Sequence, residues 1–377
     1  MRARDEDPDS GPASPLTVLL VGDPLAPVGP DALGGAEQIL SLLDEALVAS
    51  GHRSIVIAPD GSVCRGRLVA TPLPRAPRDD AALRRASLWH RATITRALRD
   101  HAIDVVHLHG ADFERHLPGA GPPVLVTLHR PATFYAPSVF RLERPATFLH
   151  GVSASQTAEL PEDAFLLPPI VGGVALDRAA VRAHKQGFAL ALGRVCPEKG
   201  YHLALAAAAR ARVGLLLAGG VYPSVAHERY FREAIAPRLG GGAWFLGPIG
   251  GARKRRLLAG ARCLLVPSLV AEASSLVAME ALASGTPVIA FRRGALPEMV
   301  EHGATGFLVD DVEEMADAIR AAESIDPLAC RRAAEERFAA GRMTRAYVET
   351  YARVIRAARC ASRITARIDP RGRAAGE

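Results

Sequence analysis

Residues 267–309 read PSLVAEASSLVAMEALASGTPVIAFRRGALPEMVEHGATGFLV and carry the plainest alternation of helix and strand signals in the chain. Ser274 and Ser275 are residue types that cap helix N-termini, and the apolar residues behind them recur at helical spacing. A helix at 274–284 is therefore predicted. Two short apolar runs follow, PVIAF and GFLV. Such runs are typical of parallel strands that are buried on both faces of a sheet.

The same alternation extends outward from this stretch through the chain. Further strands are predicted at 16–21, 53–58, 104–109, 123–129, 147–153, 188–193, 213–219, 243–247 and 263–267. Helices are predicted at 34–50, 80–99, 201–211, 226–236, 252–260, 312–322 and 343–360. Alternating strands and helices imply parallel sheets joined by right-handed crossovers. The predicted fold class is therefore α/β, with two Rossmann-like parallel-sheet domains that face an interdomain cleft.

The chain is expected to divide at a segment rich in proline and glycine. The expected parts are a disordered tail at 1–14, a first domain at 15–170, a linker at 171–187, a second domain at 188–342, a helix at 343–360 and a disordered tail at 361–377. Tyr347, Tyr351 and Ile355 recur every four residues and form an apolar stripe on that helix. Because such a stripe needs a partner surface, we expect the helix to pack back across the first domain.

The composition excludes several classes of protein. Of the 377 residues, 49% are hydrophobic and 23% are charged, a balance typical of soluble globular proteins rather than disordered ones. The five cysteines are isolated and odd in number, so a reducing compartment such as the cytoplasm is favoured over a disulfide scaffold. The longest uncharged stretch, 213–227, is shorter than the ~20 residues of a membrane span. The acidic start, MRARDEDPDS, differs from a signal peptide.

Positive charge is concentrated in the second half of the chain. Residues 1–180 carry a formal charge of −4 and residues 181–377 carry +10. A basic half suits nucleic acid, an anionic membrane surface or a phosphate-bearing ligand. Only 5% of the residues are aromatic and no nucleic-acid-binding motif occurs, so nucleic acid is not an expected partner.

Several cofactor and metal signatures are missing from the sequence. The first predicted strand is not followed by G-x-G-x-x-G, and neither a P-loop nor a G-x-S-x-G elbow occurs. D-x-D patterns occur only at Asp5–Asp7 and Asp7–Asp9, in the predicted N-terminal tail, and the histidines do not form H-E-x-x-H or a comparable cluster. We therefore expect neither a cofactor nor a metal at the site.

Two glutamates, Glu272 and Glu280, bracket the start of the helix predicted at 274–284. Eight helical residues would separate them by ~12 Å, which exceeds the ~5–9.5 Å between the carboxylates of glycosidases. Glu272 precedes the helix and can reach a ligand at its N-terminus, where free N–H groups and the helix dipole favour a diphosphate. A capped core helix with two surface carboxylates remains an alternative.

Two cations, Arg194 and Lys199, lie on a loop between a predicted strand and a helix, at the edge where such sheets bind ligands. Together they can neutralise a diphosphate leaving group. Alternatively, the loop is solvated and Lys199 pairs with Glu198. The basic run at 253–256 is predicted to be a solvated helix face.

The first half carries weaker signals of a site. Gly34 and Gly35 open a helix after the first strand, where they would let a ligand approach the helix N–H groups. Three histidines, His107, His109 and His129, lie at strand ends. His129 closes an apolar strand at the predicted cleft and is assigned to the site together with His109. A buried structural histidine is the alternative at each position, and it is preferred for His107.

These segments, in this order, resemble glycosyltransferase family 4, the large retaining group with the GT-B fold, over about residues 16–358. The resemblance is carried in the second half by GRVCPEKG, FLGPIG, EALASGTPVIA and GALPEMVEHGATGFLV. In the first half it is carried by GGAE, HLHG, TLH and VSASQ. It implies a nucleotide-sugar donor bound in the cleft, mostly by the second domain.

The resemblance also implies a role for each matched residue. Glu280 would hold the ribose hydroxyls, and Glu272 would hold hydroxyls of the donor sugar. Arg194 and Lys199 would contact the diphosphate, and His129 would lie beside the donor sugar at the reaction centre. Donor contacts are also implied for Gly34, Gly35, His109, Ser274, Ser275, Leu276 and Val277, with Pro248 and Ile249 bordering the base.

The expected function is retaining, metal-independent transfer of a sugar to an acceptor hydroxyl on a glycan, a lipid-linked saccharide or a small molecule. Polysaccharide biosynthesis in the cytoplasm is the expected setting, and a lipid-linked acceptor would add peripheral contact with the inner face of the membrane. Two alternatives stay open. A nucleotide-sugar epimerase would isomerise the sugar without an acceptor, and a non-catalytic binding protein would hold the donor without releasing nucleotide.

Overall fold

The computed structural model describes residues 15–74 and 80–368. The predicted N-terminal tail at 1–14 lies outside the described residues, as does the end of the predicted C-terminal tail at 369–377.

The first half of the chain forms a seven-stranded sheet in which every pairing is parallel. Its elements are β1 (Thr17–Val21), α1 (Gly35–Ala49), β2 (Arg53–Pro59), β3 (Arg67–Thr71), α2 (Asp80–Asp100), β4 (Val105–Leu108), β5 (Val124–Thr127), β6 (Thr147–His150), α3 (Ala154–Ala158) and β7 (Leu166–Leu167). The strand order is β3-β2-β1-β4-β5-β6-β7. The strand order therefore reverses beside β1, which is where ligands bind in open α/β sheets.

The second half forms a six-stranded sheet that is also parallel throughout. Its elements are β8 (Phe188–Leu192), α4 (Tyr201–Ala211), β9 (Gly214–Ala218), α5 (Val225–Tyr230), β10 (Ala243–Phe245), α6 (Gly251–Gly260), β11 (Cys263–Val266), α7 (Leu276–Ala283), β12 (Val288–Phe291), α8 (Leu296–Met299), β13 (Gly306–Val309), α9 (Val312–Ala321), α10 (Pro327–Arg337) and α11 (Ala340–Ile368). The order β10-β9-β8-β11-β12-β13 reverses beside β8. The prediction of two parallel α/β sheets is confirmed.

Burial of the strands explains why the apolar runs mark them so well. All residues of β1, β4, β5, β11 and β12 are buried, and their side chains enter apolar layers on both faces of the two sheets. Fully burying a Val, Leu or Ile side chain stabilises a fold by ~1.5–3 kcal/mol. The strands are therefore fixed mainly by apolar burial, which leaves the loops at their carboxyl ends to carry polar chemistry.

The structure adds elements to the predicted set and changes the bounds of three helices. Two strands of the first sheet, β3 and β7, are additional, as are the helices α3, α8 and α10. Helix α7 begins at Leu276 rather than at residue 274. Helix α5 ends at Tyr230 and passes into a π-turn. Helix α11 extends to Ile368, so the tail predicted to begin at residue 361 is helical in its described part.

Helix α11 and several polar contacts join the two halves. The predicted stripe of Tyr347, Tyr351 and Ile355 packs into the apolar layer of the first sheet. Glu298 of α8 accepts hydrogen bonds from the backbone N–H groups of Ala154 and Ser155 at the start of α3, at 3.0 and 2.6 Å. These contacts hold the carboxyl edges of the two sheets toward one another.

In the part of the chain that the structure describes, no helix is both long enough and apolar enough to cross a membrane.

Candidate active site

The predicted site residues gather at the two points where strand order reverses. Gly34 and Gly35 follow β1, and His109 and His129 follow β4 and β5. Arg194 and Lys199 follow β8, while Glu272, Ser274 and Ser275 follow β11. Because parallel strands end at the same edge of a sheet, residues from distant parts of the chain meet there.

Lys199 forms an ion pair with Glu272 across two loops of the second sheet. Its Nζ lies 2.5 Å from Glu272 Oε1. The side chain of Glu272 is 9% exposed, and its carboxylate also accepts a short hydrogen bond from Ser268. The alternative pairing of Lys199 with Glu198 is therefore not the one in the structure. The pair places a cation and a carboxylate side by side at the start of α7.

A second ion pair joins Lys254 of α6 to Glu280 of α7. Lys254 Nζ lies 2.6 Å from Glu280 Oε1 and 3.3 Å from Oε1 of Gln38 on α1. The Lys254 side chain is 10% exposed. The prediction of a solvated face for the run at 253–256 is therefore wrong at this residue, which α6 turns inward toward the cleft. Its neighbours Arg253 and Arg256 are exposed as predicted.

The N-termini of α1 and α7 face each other across the cleft. A Cβ placed on Gly35 would lie 3.7 Å from Cβ of Leu276, the first residue of α7. Gly34 holds the N-cap position of α1 and Ser275 that of α7, and neither helix is capped by the side chain at that position. The first turns of two helices therefore converge on one region, and both helix dipoles favour an anion there.

Four histidines and one threonine form a hydrogen-bonded chain in the first half. The N···N distance is 3.0 Å between His129 and His109, and 3.2 Å between His109 and His107. Oγ1 of Thr127 lies 2.8 Å from His107 Nε2 and 2.7 Å from His150 Nε2. His107 is buried inside this chain, as the structural alternative holds, while His129 ends it at the cleft.

The far end of this chain fixes the direction of its hydrogen bonds. His150 Nδ1 donates to the carbonyl oxygen of Gly151 at 2.8 Å, so Nε2 of His150 must accept from the Thr127 hydroxyl. The Thr127 oxygen then accepts a hydrogen bond from Nε2 of His107. His107 and His109 are neutral, so each donates through Nε2 and accepts through Nδ1. His129 accordingly donates through Nε2 and keeps its Nδ1 lone pair for another partner.

All four rings are held neutral. Burial lowers the pKa of His150 to about 4 and that of His129 to about 3, and Arg130 adds to the effect at His129. Burial also lowers the pKa values of His107 and His109 well below the usual value of 6.5. At neutral pH, His129 can therefore position a hydroxyl group but cannot serve as a cationic acid.

Helix α11 contributes two hydroxyl groups to the histidine chain. Tyr351 OH lies 2.7 Å from His107 Nδ1, and Tyr347 OH lies 3.1 Å from Thr127 Oγ1. Both tyrosines are buried, and burial raises the pKa of Tyr347 well above its usual value. The helix thus contributes hydrogen bonds as well as apolar packing to the first sheet, which the apolar stripe alone did not predict.

Glu37 is a buried carboxylate in the first turn of α1 that the sequence interpretation left unassigned. Its pKa is raised by burial and by Asp23, and is lowered by Arg130 and Arg194. Arg194 of the second half is exposed, and its positive charge acts on the Glu37 carboxylate of the first half. The signal for Glu37 was present in the GGAE motif at 34–37.

A pocket lies between the halves. It is lined by Asp31 and Gln38 from the first half, by Lys254, Leu276 and Glu280 from the second, and by the segment 173–175. Pro248 and Ile249 precede α6 without lining this pocket, and Ile249 is buried in the core of the second sheet. The pocket therefore brings Glu280 and Leu276 together with residues of α1.

Three possible metal-ligating side chains lie in or next to the segment 194–199 after β8, called the cation loop below because it carries Arg194 and Lys199. Single ligand atoms of Cys196, Glu198 and His227 all fall within 4.8 Å of one another. Cys196 and Glu198 follow β8, whereas His227 lies on α5, so no local spacing pattern in the sequence indicated them.

Two family models match the chain, one in each half. The model described as Glycosyl transferases group 1 matches residues 187–323, and the model described as Glycosyltransferase Family 4 matches residues 33–155. Together they cover more than half of the chain.

Individual relatives match only part of the sequence. The D-inositol 3-phosphate glycosyltransferase of Mycobacterium sp. (strain KMS) is 38% identical over 170 residues, which is 42% of this chain and 38% of that protein. The chain therefore spans less than half the length of the curated relatives that it matches.

Solved structures match the whole fold. AviGT4, a glycosyltransferase involved in avilamycin A biosynthesis, is 26% identical, with a TM-score of 0.68 over 90% of this chain and 98% of that one. HepE of Anabaena, crystallised with UDP and glucose, is 17% identical, with a TM-score of 0.69 over 89% of this chain and 99% of that one. The two matched models and the shared architecture lead to one conclusion: the chain belongs to the group 1, family 4 glycosyltransferases of the GT-B fold.

Proposed function

We propose that this protein is a retaining glycosyltransferase that moves a sugar from a nucleotide-diphosphate donor to an acceptor hydroxyl. The observation that carries the proposal is the placement of two lysine–glutamate pairs around α7. Lys199 with Glu272 lies before the helix, and Lys254 with Glu280 lies along it. A ligand between them would meet cations for phosphate and carboxylates for hydroxyl groups within one cleft.

The diphosphate would lie at the N-terminus of α7. Arg194, Lys199 and the backbone N–H groups around Ser275, Leu276 and Val277 would share its charge, with Gly35 completing the cradle from α1. The UDP held by HepE in its crystal structure supports a nucleoside diphosphate as the ligand. Glu280 would then accept hydrogen bonds from the ribose, and Glu272 from the donor sugar.

The ion pair at Lys199 would prepare the site before the donor arrives. Glu272 holds the Lys199 ammonium at 2.5 Å, so the cation is already positioned when the phosphate binds. Preorganised charge of this kind is the largest single contribution to many enzymatic rate accelerations. The protein would thus stabilise the departing nucleoside diphosphate with its own cations, and no metal is needed in this scheme.

His129 would orient the donor sugar. Its neutral ring, with the Nδ1 lone pair unused by the histidine chain, would accept a hydrogen bond from a sugar hydroxyl. The bond from the anomeric carbon to the diphosphate oxygen would break, and the acceptor oxygen would attack from the same face. The acceptor proton would pass to the leaving phosphate oxygen, which restores the charge balance. Attack from the same face retains the anomeric configuration.

The acceptor would be a hydroxyl of a glycan, a lipid-linked saccharide or a small molecule, reached from the first half of the chain. The relatives named D-inositol 3-phosphate glycosyltransferases support a hydroxylated acceptor. The five free cysteines favour a reducing compartment, so we place the reaction in the cytoplasm. Polysaccharide assembly, with peripheral membrane contact for a lipid-linked acceptor, fits this setting.

A donor panel tests the proposal. UDP-, GDP- and ADP-sugars are incubated with the protein, with and without pooled saccharide acceptors, and both nucleotide release and the new anomeric centre are followed by NMR. We expect acceptor-dependent release of one nucleoside diphosphate and a product that keeps the donor's anomeric configuration. An isomerised sugar without acceptor would indicate the epimerase alternative. Binding without release would indicate a non-catalytic protein.

A further inference from the structure

A cysteine, a glutamate and a histidine meet at the outer side of the cation loop, away from the pocket between the halves. The loop after β8 and the loop after β9 run side by side, because the N–H of Val195 donates to the carbonyl oxygen of Gly220 at 2.9 Å. This pairing brings Cys196 and Glu198 next to His227 in the first turn of α5. One ligand atom from each residue lies within 4.8 Å of the others.

The histidine of this cluster has unused hydrogen-bonding capacity. His227 Nδ1 is the one buried side-chain nitrogen or oxygen in the described part of the chain that lacks a hydrogen-bond partner. Leaving such a group unpaired destabilises the fold, so a buried ring nitrogen without a partner needs an explanation. A bound cation would supply the missing partner.

The ligand types select the cation. A thiolate, an imidazole and a carboxylate together suit Zn²⁺, whereas Mg²⁺ and Ca²⁺ prefer oxygen ligands. Ligand atoms at ~2.0–2.3 Å from a tetrahedral Zn²⁺ lie ~3.3–3.8 Å apart. The cluster therefore needs to close by about an ångström, which the exposed Glu198 side chain can accommodate.

We propose that Cys196, Glu198 and His227 form a Zn²⁺ site that pins the loop carrying Arg194 and Lys199. Three protein ligands leave the fourth tetrahedral position to water. Lys199 ends the short helical turn Pro197–Lys199, so a metal held at both sides of Pro197 would hold this turn in place. The site is separate from the residues assigned to the donor and adds a metal-dependent element to the proposed function.

Metal binding changes the charge of this site. Zinc binds cysteine as the thiolate, so the Zn–S bond forms as the Cys196 thiol loses its proton, and one proton is released for each metal bound. The site changes from a net charge of −1, with Glu198 ionised, to 0 when the metal is bound. Negative charge beside Arg194 is thereby reduced.

The test uses Co²⁺ as a spectroscopic substitute for Zn²⁺ on the full metal-free chain. We expect a thiolate-to-cobalt charge-transfer band that saturates at one metal per chain and disappears when Zn²⁺ is added. Cys196→Ser should remove the band, and His227→Ala should weaken Co²⁺ binding at least tenfold. Cys360→Ser removes an exposed thiol on α11 and should leave the titration unchanged.

Three results would overturn the proposal: no charge-transfer band in the wild-type chain, a band retained in Cys196→Ser, or a band lost in Cys360→Ser. If Cys196→Ser fails to fold, His227→Ala decides, because its side chain lies on a short helix at the edge of the domain. Unchanged Co²⁺ affinity in that variant would refute the site. Nucleotide binding by the same preparation is measured separately, so failure of the metal site and failure of the proposed donor site are distinguishable.

Discussion

The two halves of the molecule build the same kind of parallel sheet and bury different kinds of polar group at its reactive edge. The first half buries neutral groups, in a chain that leads from His129 through Thr127 to His150. The second half pairs charges, with Lys199 against Glu272 and Lys254 against Glu280.

This difference shows how the two edges can divide one reaction. Neutral hydrogen-bonding groups suit the recognition of hydroxyls, because neither partner carries a net charge. Lysines already positioned by carboxylates suit a ligand that brings its own negative charge. The comparison therefore predicts that changes in the first half will act mainly by protonating histidines or misplacing hydroxyl groups. Changes in the second half will act mainly by removing a charge.

Acid should have the largest effect, and it should destabilise the first half more than the second. Six histidines there have pKa values that are lowered mainly by desolvation: His90, His107, His109, His116, His129 and His150. Below pH 6.5 the histidines bind protons in the unfolded chain but stay neutral in the folded chain. The free energy of unfolding is therefore largest above pH 6.5 and decreases as the pH falls toward 4. Each histidine should contribute a loss of ~1 kcal/mol between pH 6.5 and 5.5.

The two tryptophans report the two halves separately. Trp89 lies on α2 and Trp244 on β10. Urea unfolding of the single-tryptophan variants Trp244→Phe and Trp89→Phe, at pH 6.5 and 5.5, should show a much larger shift of the midpoint at Trp89 than at Trp244. Equal shifts at both probes would contradict the contrast between the halves.

Lys199→Ala should have the next largest effect, and it acts on catalysis. Loss of one positioned cation from a developing phosphate charge typically costs ~3 kcal/mol, or about a hundredfold in kcat. The measurement is steady-state release of nucleotide in the presence of acceptor. Arg232→Ala, which removes an exposed cation of the same half, is the control and should retain full activity. Turnover at the wild-type rate in Lys199→Ala would remove this residue from the reaction.

Lys254→Ala and Arg253→Ala compare a buried and an exposed cation within the basic run at 253–256. Lys254→Ala leaves Glu280 without its cation in a partly buried position, so we expect the free energy of unfolding to fall by about 2 kcal/mol, with weaker nucleotide binding. Arg253→Ala, one residue away and exposed, should change stability by less than ~0.5 kcal/mol. Denaturant midpoints for the two variants give the comparison, and equal midpoints would restore the solvated-face interpretation of the run.

Thr127→Val tests the histidine chain with the smallest change. It removes the hydroxyl that is hydrogen-bonded to His107, His150 and Tyr347. If the reaction loses ~1–1.5 kcal/mol, the contribution of about one neutral hydrogen bond, kcat/KM falls by up to about tenfold. Thr127→Ser keeps the hydroxyl and should restore the activity. A threonine with only a packing role would give the opposite pattern, since valine fills the same volume.

Local patterns predicted the apolar part of the fold. Strands such as β1, β5 and β12 are continuous runs that are buried on both faces, so composition alone marks them. The sequence did not predict β3, because only Thr71 in it is buried, or β7, because it contains only two residues. Helix α10 was missed although Asp326 and Pro327 form a regular helix start.

Partners that are distant in sequence could not be predicted in the same way. Lys199 meets Glu272 from 73 residues away, and His107 meets Tyr351 from 244 residues away. The burial of Lys254 could not be predicted, because residues 253–256 are all cations and the sequence does not indicate which of them faces inward. The residues of the site could be named from motifs, whereas their pairing depends on the two sheets being assembled.

Calorimetric titration with UDP, GDP and ADP, on the wild-type chain and on Glu280→Ala, tests the central claim that the second half forms a nucleoside-diphosphate site. We expect one nucleotide to bind selectively and its affinity to fall about 10- to 100-fold in the variant, as for the loss of hydrogen bonds to a charged carboxylate. Failure of all three nucleotides to bind the wild-type chain, or equal affinity in Glu280→Ala, would contradict the claim.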